Sequence, residues 1–160
     1  MITRPSQLTE RDRWSCVALI AEGDAVDGAF VNEWFPRSIV VAVKRSGAEI
    51  VGVGVIKPTR RHYAKTVAER SGFELDSEMH EMGYITVRED HQRRGIARDI
   101  VKALDSEHEP PLFATTSNES MKRILGEFGF VRRGKGWTGD RGGVLTLWIR
   151  DRHASSPSGP

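Results

Sequence analysis

Apolar residues change their spacing repeatedly along this chain, and each change predicts a new element. Thr9-Glu-Arg-Asp12 has the spacing of a helix-capping box, and Trp14, Val17, Ala18 and Ala21 follow at helical intervals until Gly23. Val26, Phe30 and Trp34 stand at i, i+4 and i+8, which predicts a second short helix stopped by Pro36. The period then shortens. Ile39–Val43 and Glu49–Ile56 are β-rich runs, and the polar stretch 44–48 between them reads as a hairpin turn. Gly52 and Gly54 alternate with Val51, Val53 and Val55, so one face of the second run is bare and open to a helix, a ligand or a bend.

Residues 59–71 predict a helix with Tyr63 and Val67 four apart and Gly72 as its C-cap. Met79–Val87 reads as a strand, and Ile96–Leu104 as a helix with Ile96, Ile100, Val101 and Leu104 on one stripe. Leu112–Thr116 is a short strand after Pro110-Pro111. Ser117 or Asn118 then caps a helix whose inner face carries Met121, Ile124, Leu125 and Phe128 and which Gly129 closes. Phe130-Val131 and Val144–Ile149 complete the sheet. The order αα-ββ-α-β-α-β-α-β-β describes a single α/β domain over residues 1–152 with a mixed central sheet, and 153–160 (HASSPSGP) reads as a disordered tail.

Composition narrows the class. In 160 residues, 38% are apolar and 29% charged, which excludes a wholly disordered chain and a collagen-like repeat. No run approaches the ~20 apolar residues of a membrane span. The N-terminal stretch MITRPSQLTERDRW lacks a secretory signal, so a cytoplasmic protein without membrane contact is expected. Cys16 stands alone, and histidines 62, 80, 91, 108 and 153 have no metal-ligand spacing, so no metal is implied. The net charge is only +2, yet residues 132–152 hold Arg132, Arg133, Lys135, Arg141, Arg150 and Arg152 against two aspartates. That field suits either an anionic ligand or a charged, soluble strand edge.

The chemistry concentrates after the strand that ends at Val87. A polar turn follows, and a helix opens with Gln92-Arg-Arg-Gly-Ile-Ala97. Unpaired N–H groups and the helix dipole make such a start an anion site. Gly95 admits a phosphate close to the backbone, Ala97 keeps the next turn small, and Arg93, Arg94 and Arg98 add mobile positive charge. An ordinary strand–turn–helix needing glycine for geometry is the plain alternative.

The motif Gln92-x-x-Gly95-x-Ala97 resembles the acetyl-CoA diphosphate loop, [RQ]-x-x-G-x-[GA], of the GNAT superfamily of N-acetyltransferases. A second segment downstream, Asn118-Glu-Ser-Met-Lys-Arg-Ile-Leu-Gly-Glu-Phe-Gly-Phe130, is similar to that family's N-x-x-A-x-x-L-Y-x-x-x-G-F signature. The resemblance implies a GNAT-like, mostly antiparallel sheet in which the strand 81–87 splays from 112–116. It further implies that acetyl-CoA binds there as co-substrate, its pantetheine along the backbone of Ile85, Thr86 and Val87, its diphosphate on Gln92, Arg93, Arg94, Gly95, Ile96, Ala97 and Arg98, with Asn118 beside it. Acetyl transfer to a primary amine follows, by direct attack in a ternary complex.

Glu81 lies eleven residues before Gln92, where histone-type relatives carry the catalytic base, and burial in a strand raises a carboxyl pKa toward a useful value. Tyr84 is the candidate proton donor or water-holding group. Its parity places it on the strand face opposite Glu81 unless a bulge intervenes. Tyr63 is a weaker candidate, otherwise a core or substrate-wall aromatic. His80 is either a group at the site's mouth or a plain strand-end residue. Met121 and Leu125 depart from the signature: Leu125 takes the place of the tyrosine that protonates the leaving thiolate in many relatives. The acceptor is a small amine, a peptide or a tRNA. The basic stretch 57–65 would draw an anionic one, whereas Asp24, Asp27, Glu33, Glu74, Asp76 and Glu78 would draw a cation. An aminoacyl-tRNA-acetylating, toxin-like enzyme and a non-catalytic CoA-binding regulatory domain are the alternatives. A homodimer joined by edge strands or tails fits such folds.

Overall fold

A seven-stranded sheet forms the middle of the computed structural model, which describes residues 1–23, 28–76 and 78–151. Val26, Asp24, Asp27, Arg152 and the expected tail at 153–160 lie outside the described residues. The chain runs β1 (Ile2–Thr3), α1 (Glu10–Glu22), α2 (Gly28–Trp34), β2 (Val40–Ser46), β3 (Glu49–Lys57), α3 (Arg61–Ser71), β4 (His80–Val87), α4 (Ile96–Ser106), β5 (Leu112–Thr116), α5 (Glu119–Glu127), β6 (Val131–Thr138) and β7 (Val144–Arg150). Spatial order is β1-β2-β3-β4-β5-β7-β6, antiparallel throughout except for the parallel β4–β5 pair. No helix among the described residues is long and apolar enough to cross a membrane.

The sheet's two faces bury different helices. Val41, Val43, Val53 and Val55 meet Cys16, Val17, Leu19 and Ile20 of α1, and Phe113, Leu147 and Ile149 continue that face under α3 with Val67. On the other side Ala42, Val51, Met82, Leu112 and Ala114 pack on Ile96, Ile100, Val101 and Leu104 of α4 and on Leu125 of α5. Each Val, Leu, Ile, Phe or Met among them, fully buried, stabilises the fold by about 1.5–3 kcal/mol.

Glycines on β3 resolve the question of its bare face in favour of a helix. A Cβ on Gly52 would stand 2.8 Å from Ile96 Cγ2, and one on Gly54 would stand 2.6 Å from Ile100 Cγ2 and 3.1 Å from Ile85 Cγ1. The missing side chains let α4 lie directly on the strand. Gly54→Ala is therefore expected to destabilise the protein by about 1–3 kcal/mol through overpacking. Urea unfolding would register this as a lower midpoint at unchanged slope.

Three elements differ from expectation. Trp14 is 66% exposed and Ala18 is exposed too, because α1 turns the stripe Cys16, Val17, Leu19 and Ile20 inward instead. β6 extends to Thr138 rather than ending at Val131; as the sheet's outer strand it exposes Val131–Lys135 and so shows no hydrophobic alternation. β1, which pairs Ile2 with Ala42, is too short to leave a periodic signal. The caps behave as expected: Thr9 Oγ1 accepts from the Asp12 N–H, and Gly72 closes α3 with φ 71°.

Candidate active site

The turn from β4 to α4 is built to keep backbone N–H groups open. After Val87, one 3-10 turn (Glu89–His91) reverses the chain, and the Gln92 amide donates to the Val87 carbonyl at 3.1 Å, holding the two sides of the turn together. Arg88 braces it from outside through Glu49 and Asp90, both at 2.7 Å. Arg93 (φ 64°) and Gly95 (φ 80°) adopt left-handed conformations, which for Arg93 costs on the order of 1 kcal/mol. Gly95 is the N-cap of α4 and brings no capping side chain, so the dipole's positive end faces outward beside exposed Gln92, Arg93 and Arg94. Nothing lies within 4 Å of where a Gly95 Cβ would be. A shallow cavity of about 250 Å³ alongside is lined by Lys44, Arg45, His91, Arg94 and Ile96.

Arg98 corrects the expectation of mobile charge. It is tied to Glu127 of α5 at 2.7 Å, with its guanidinium 5.3 Å from the Phe128 ring centre, and so locks α4 to α5. Ile96 is buried in the core and Ala97 half-buried. Asn118 caps α5 by accepting from the Met121 N–H at 2.9 Å.

Parity along β4 is broken by a bulge. Val55 pairs with Gly83 and Val53 with Thr86, so Tyr84 and Ile85 together stand opposite Gly54. Tyr84, at φ 55°, absorbs the extra residue. Ile85 and Val87 consequently pack toward α4, whereas Tyr84 joins the α1 side. Glu81 and Tyr84 thus share one face, as the sequence reading allowed only with a bulge. Here β4 also leaves β5: their pairing consists of His80↔Leu112 and Glu81↔Phe113 and goes no further. From Met82 onward the edge of β4 facing β5 has no strand partner.

Around the bulge three polar groups converge. Glu81 is 8% exposed, directly across from Lys57 in the β3–β4 register, and the Lys57 ammonium lies 3.6 Å from its Oε1 and 3.6 Å from the Tyr84 ring centre. Burial pushes the Glu81 carboxyl above its ordinary range, an effect that the Lys57 and Arg60 charges only partly offset. The Tyr84 hydroxyl is buried and makes no hydrogen bond among the described residues. An orphaned hydroxyl costs about 1–3 kcal/mol, a sacrifice of stability found at working sites. Tyr63 spends its hydroxyl on Thr115 Oγ1 at 2.8 Å and stacks on Phe113; burial and the Glu81 charge raise its pKa.

Other expected residues have structural roles. His80 turns toward α4 and packs on His108, ring centres 5.1 Å apart, where burial lowers its pKa. It is a strand-end residue, turned away from Glu81. Leu125 is fully buried among α4 and sheet residues, so no proton passes there. Arg150 leaves the basic field altogether: 3% exposed, it pairs with Asp105 and donates to the His108, Glu109 and Pro110 carbonyls. Lys57 and Arg60 were visible only as part of a basic stretch, and Arg37 gave no signal. The Arg60 guanidinium carbon lies over the rings of Phe30 (4.5 Å), Trp34 (5.4 Å) and Tyr63 (5.6 Å), and that of Arg37 over Trp34 (4.2 Å).

A splayed parallel pair and an uncapped helix start are the features that the sequence resemblance implied. Residues 10–130 match the model of the acetyltransferase (GNAT) family, and the chain belongs to that family. Solved structures agree on the fold. A GNAT-family acetyltransferase from Streptococcus agalactiae superposes with TM-score 0.70 at 14% identity, covering 96% of each chain. The yncA protein of Salmonella typhimurium, solved with its cofactor acetyl-CoA, gives 0.68 at 16%, over 99% of this chain and 98% of that one. A ribosomal-protein-alanine N-acetyltransferase from Brucella melitensis gives 0.68 at 17%, over 94% and 99%. Among curated proteins, none matches the sequence.

Proposed function

We propose that the protein moves an acetyl group from acetyl-CoA to a primary amine by direct attack, with Glu81 as the base and Tyr84 as the proton donor. The reading is carried by one observation: the bulge sets both side chains on the same face at the point where β4 parts from β5. The chain's residues fit acetyl-CoA. The uncapped α4 start, the open space over Gly95 and the cations Arg93, Arg94 and Lys44 suit a diphosphate, whereas Arg45 is held by Asp12 at 2.9 Å; the unpartnered edge of β4 at Ile85, Thr86 and Val87 suits an amide-bearing arm. When bound, acetyl-CoA supplies a thioester whose sulfur leaves as a thiolate.

The chain's own work is proton handling and positioning. An alkyl ammonium (pKa ~10.4) is no nucleophile until it loses a proton. Glu81, kept from water with its pKa raised, is basic enough to take one near neutral pH. Backbone N–H groups at the open edge of β4 stabilise negative charge developing on a carbonyl. Tyr84, with a hydroxyl that no described residue claims, gives its proton to the departing sulfur.

The test is thiol release from acetyl-CoA with a panel of amines, amino acids, peptides and aminoacylated tRNA, each product checked for the acetyl adduct by mass spectrometry. Release with an N-acetyl product supports the reading. Binding of acetyl-CoA without transfer to any member overturns it in favour of a CoA-binding domain. Tyr84→Phe separates function from packing. Removing an orphaned hydroxyl should leave thermal stability unchanged or higher, while turnover falls about a hundredfold. That is the low end for a lost proton transfer, since a thiolate of pKa ~8.5 is a tolerable leaving group. Turnover equal to wild type would mean that sulfur leaves unaided.

A further inference from the structure

Beside Glu81 the charges do not balance. Lys57 already answers the single described carboxylate; Arg60 acts on it as well, and Arg37 shares the Trp34 ring with Arg60. Neither arginine has a carboxylate within ion-pair distance among the described residues. Of the acidic residues that would have favoured a cationic acceptor, Glu33, Glu74, Asp76 and Glu78 are exposed, and Asp76 is occupied in capping its own turn through the Glu78 N–H; Asp24 and Asp27 lie outside the described residues.

Both arginines are held ready. Both gather on Trp34, with guanidinium carbons 4.2 Å (Arg37) and 5.4 Å (Arg60) from its ring centre, and Phe30 gives Arg60 a second ring at 4.5 Å. A cation over a ring face is attracted to it without using up its N–H donors, which remain for a planar, bidentate acceptor such as a carboxylate or phosphate. It also removes side-chain freedom before any ligand arrives. Arg60 is in addition the residue at which α3 begins, and no side chain caps that helix start, so the dipole adds to the same field. Charge from Arg60 reaches Glu81 itself.

We infer that the acceptor is a small amine bearing its own carboxylate or phosphate, with the amine at Glu81 and the anion on Arg60 and Arg37. This rests on the acetyl-transfer reading above. Among the described residues an ammonium group alone would enter against a surplus of positive charge, and a dication would fare worse. An amine with an attached anion carries the matching dipole. It keeps the amine near the base while the anion meets the arginine edges.

The experiment compares matched acceptors with full-length protein and acetyl-CoA: butylamine, 1,4-diaminobutane, 4-aminobutyrate, ethylamine and phosphoethanolamine, with aminoacylated tRNA as a separate arm. The anion-bearing member of each pair should have a kcat/KM about 10- to 100-fold above its neutral partner. Whether carboxylate or phosphate gains more identifies the anion. Arg60→Met should bring that ratio close to one, mainly through KM, and Arg60→Lys should restore part of it; circular dichroism confirms the fold of both. Trp34 fluorescence gives a reading independent of turnover. It should respond to 4-aminobutyrate or phosphoethanolamine and not to butylamine, and the response should vanish in Trp34→Phe. Preference for the diamine, an undiminished anion preference in an Arg60→Met/Arg37→Met variant, or acetylation confined to tRNA would each overturn the inference. Fluorescence binding of the anionic amines without acetylation would support the anion site while overturning the transfer reading. Neither binding nor transfer would overturn both.

Discussion

Glu81→Gln should lower turnover by about 10²- to 10⁴-fold at neutral pH while acetyl-CoA still binds. The amide keeps the shape of the carboxyl and an oxygen for Lys57, whose ammonium lies 3.6 Å from Glu81 Oε1, but it cannot take a proton. The pH profile carries the sign. Burial raises the Glu81 pKa, so the base is lost as pH falls through a value above the ordinary carboxylate range, and wild-type kcat/KM rises with pH through that value. In Glu81→Gln the rise should move toward the pKa of the amine itself, and activity should recover in part at high pH. A variant profile that overlays wild type would make Glu81 a structural charge paired with Lys57.

Gly95→Glu should weaken acetyl-CoA binding by more than about a hundredfold, measured by calorimetry. Two physical terms add. Gly95 has φ 80°, a conformation that costs an L-residue on the order of 1 kcal/mol, and the new carboxylate would occupy the open space at the positive end of α4. Gly95→Asn, which tolerates the left-handed conformation and adds no charge, should bind far better than Gly95→Glu. Thermal shift gives a second reading. Ligand at a hundredfold excess over Kd stabilises wild type by about 2.7 kcal/mol, and that gain should vanish in Gly95→Glu. Unchanged affinity would remove the α4 start from the site.

Local rules carried most of the sequence reading. Thr9, Gly72 and Asn118 act within three or four residues of themselves, and their caps stand where expected. The α4 stripe was legible because every member faces one core, while Trp14 misled because an aromatic at helical spacing need not face inward. The burial of Glu81 and the outward start of α4 follow from a strand–turn–helix pattern that the sequence displays. What it could not display was long-range: Gly54 opposite two residues of β4, Lys57 opposite Glu81, Trp34 shared by arginines that are 23 positions apart in the chain (37 to 60), and Glu127 capturing Arg98. Each of these pairings depends on register or on which helix lands beside which strand, and composition holds no record of either.

The bulge at Tyr84 also divides β4 into two phases. Up to Gly83, odd-numbered residues face α1 and α3; beyond it, even-numbered ones do, with Thr86 against Gly23 and Val87 in the α4 core. A substitution along this strand disturbs one side chain. Deleting a single residue at the phase boundary would exchange the environments of everything on one side of it, sending Val87 toward α1 and Thr86 into the apolar core. For β4, the count of residues is therefore as strict a requirement as their chemistry, and a homologous stretch grafted here would have to carry the same odd residue to keep a base and a hydroxyl on one side.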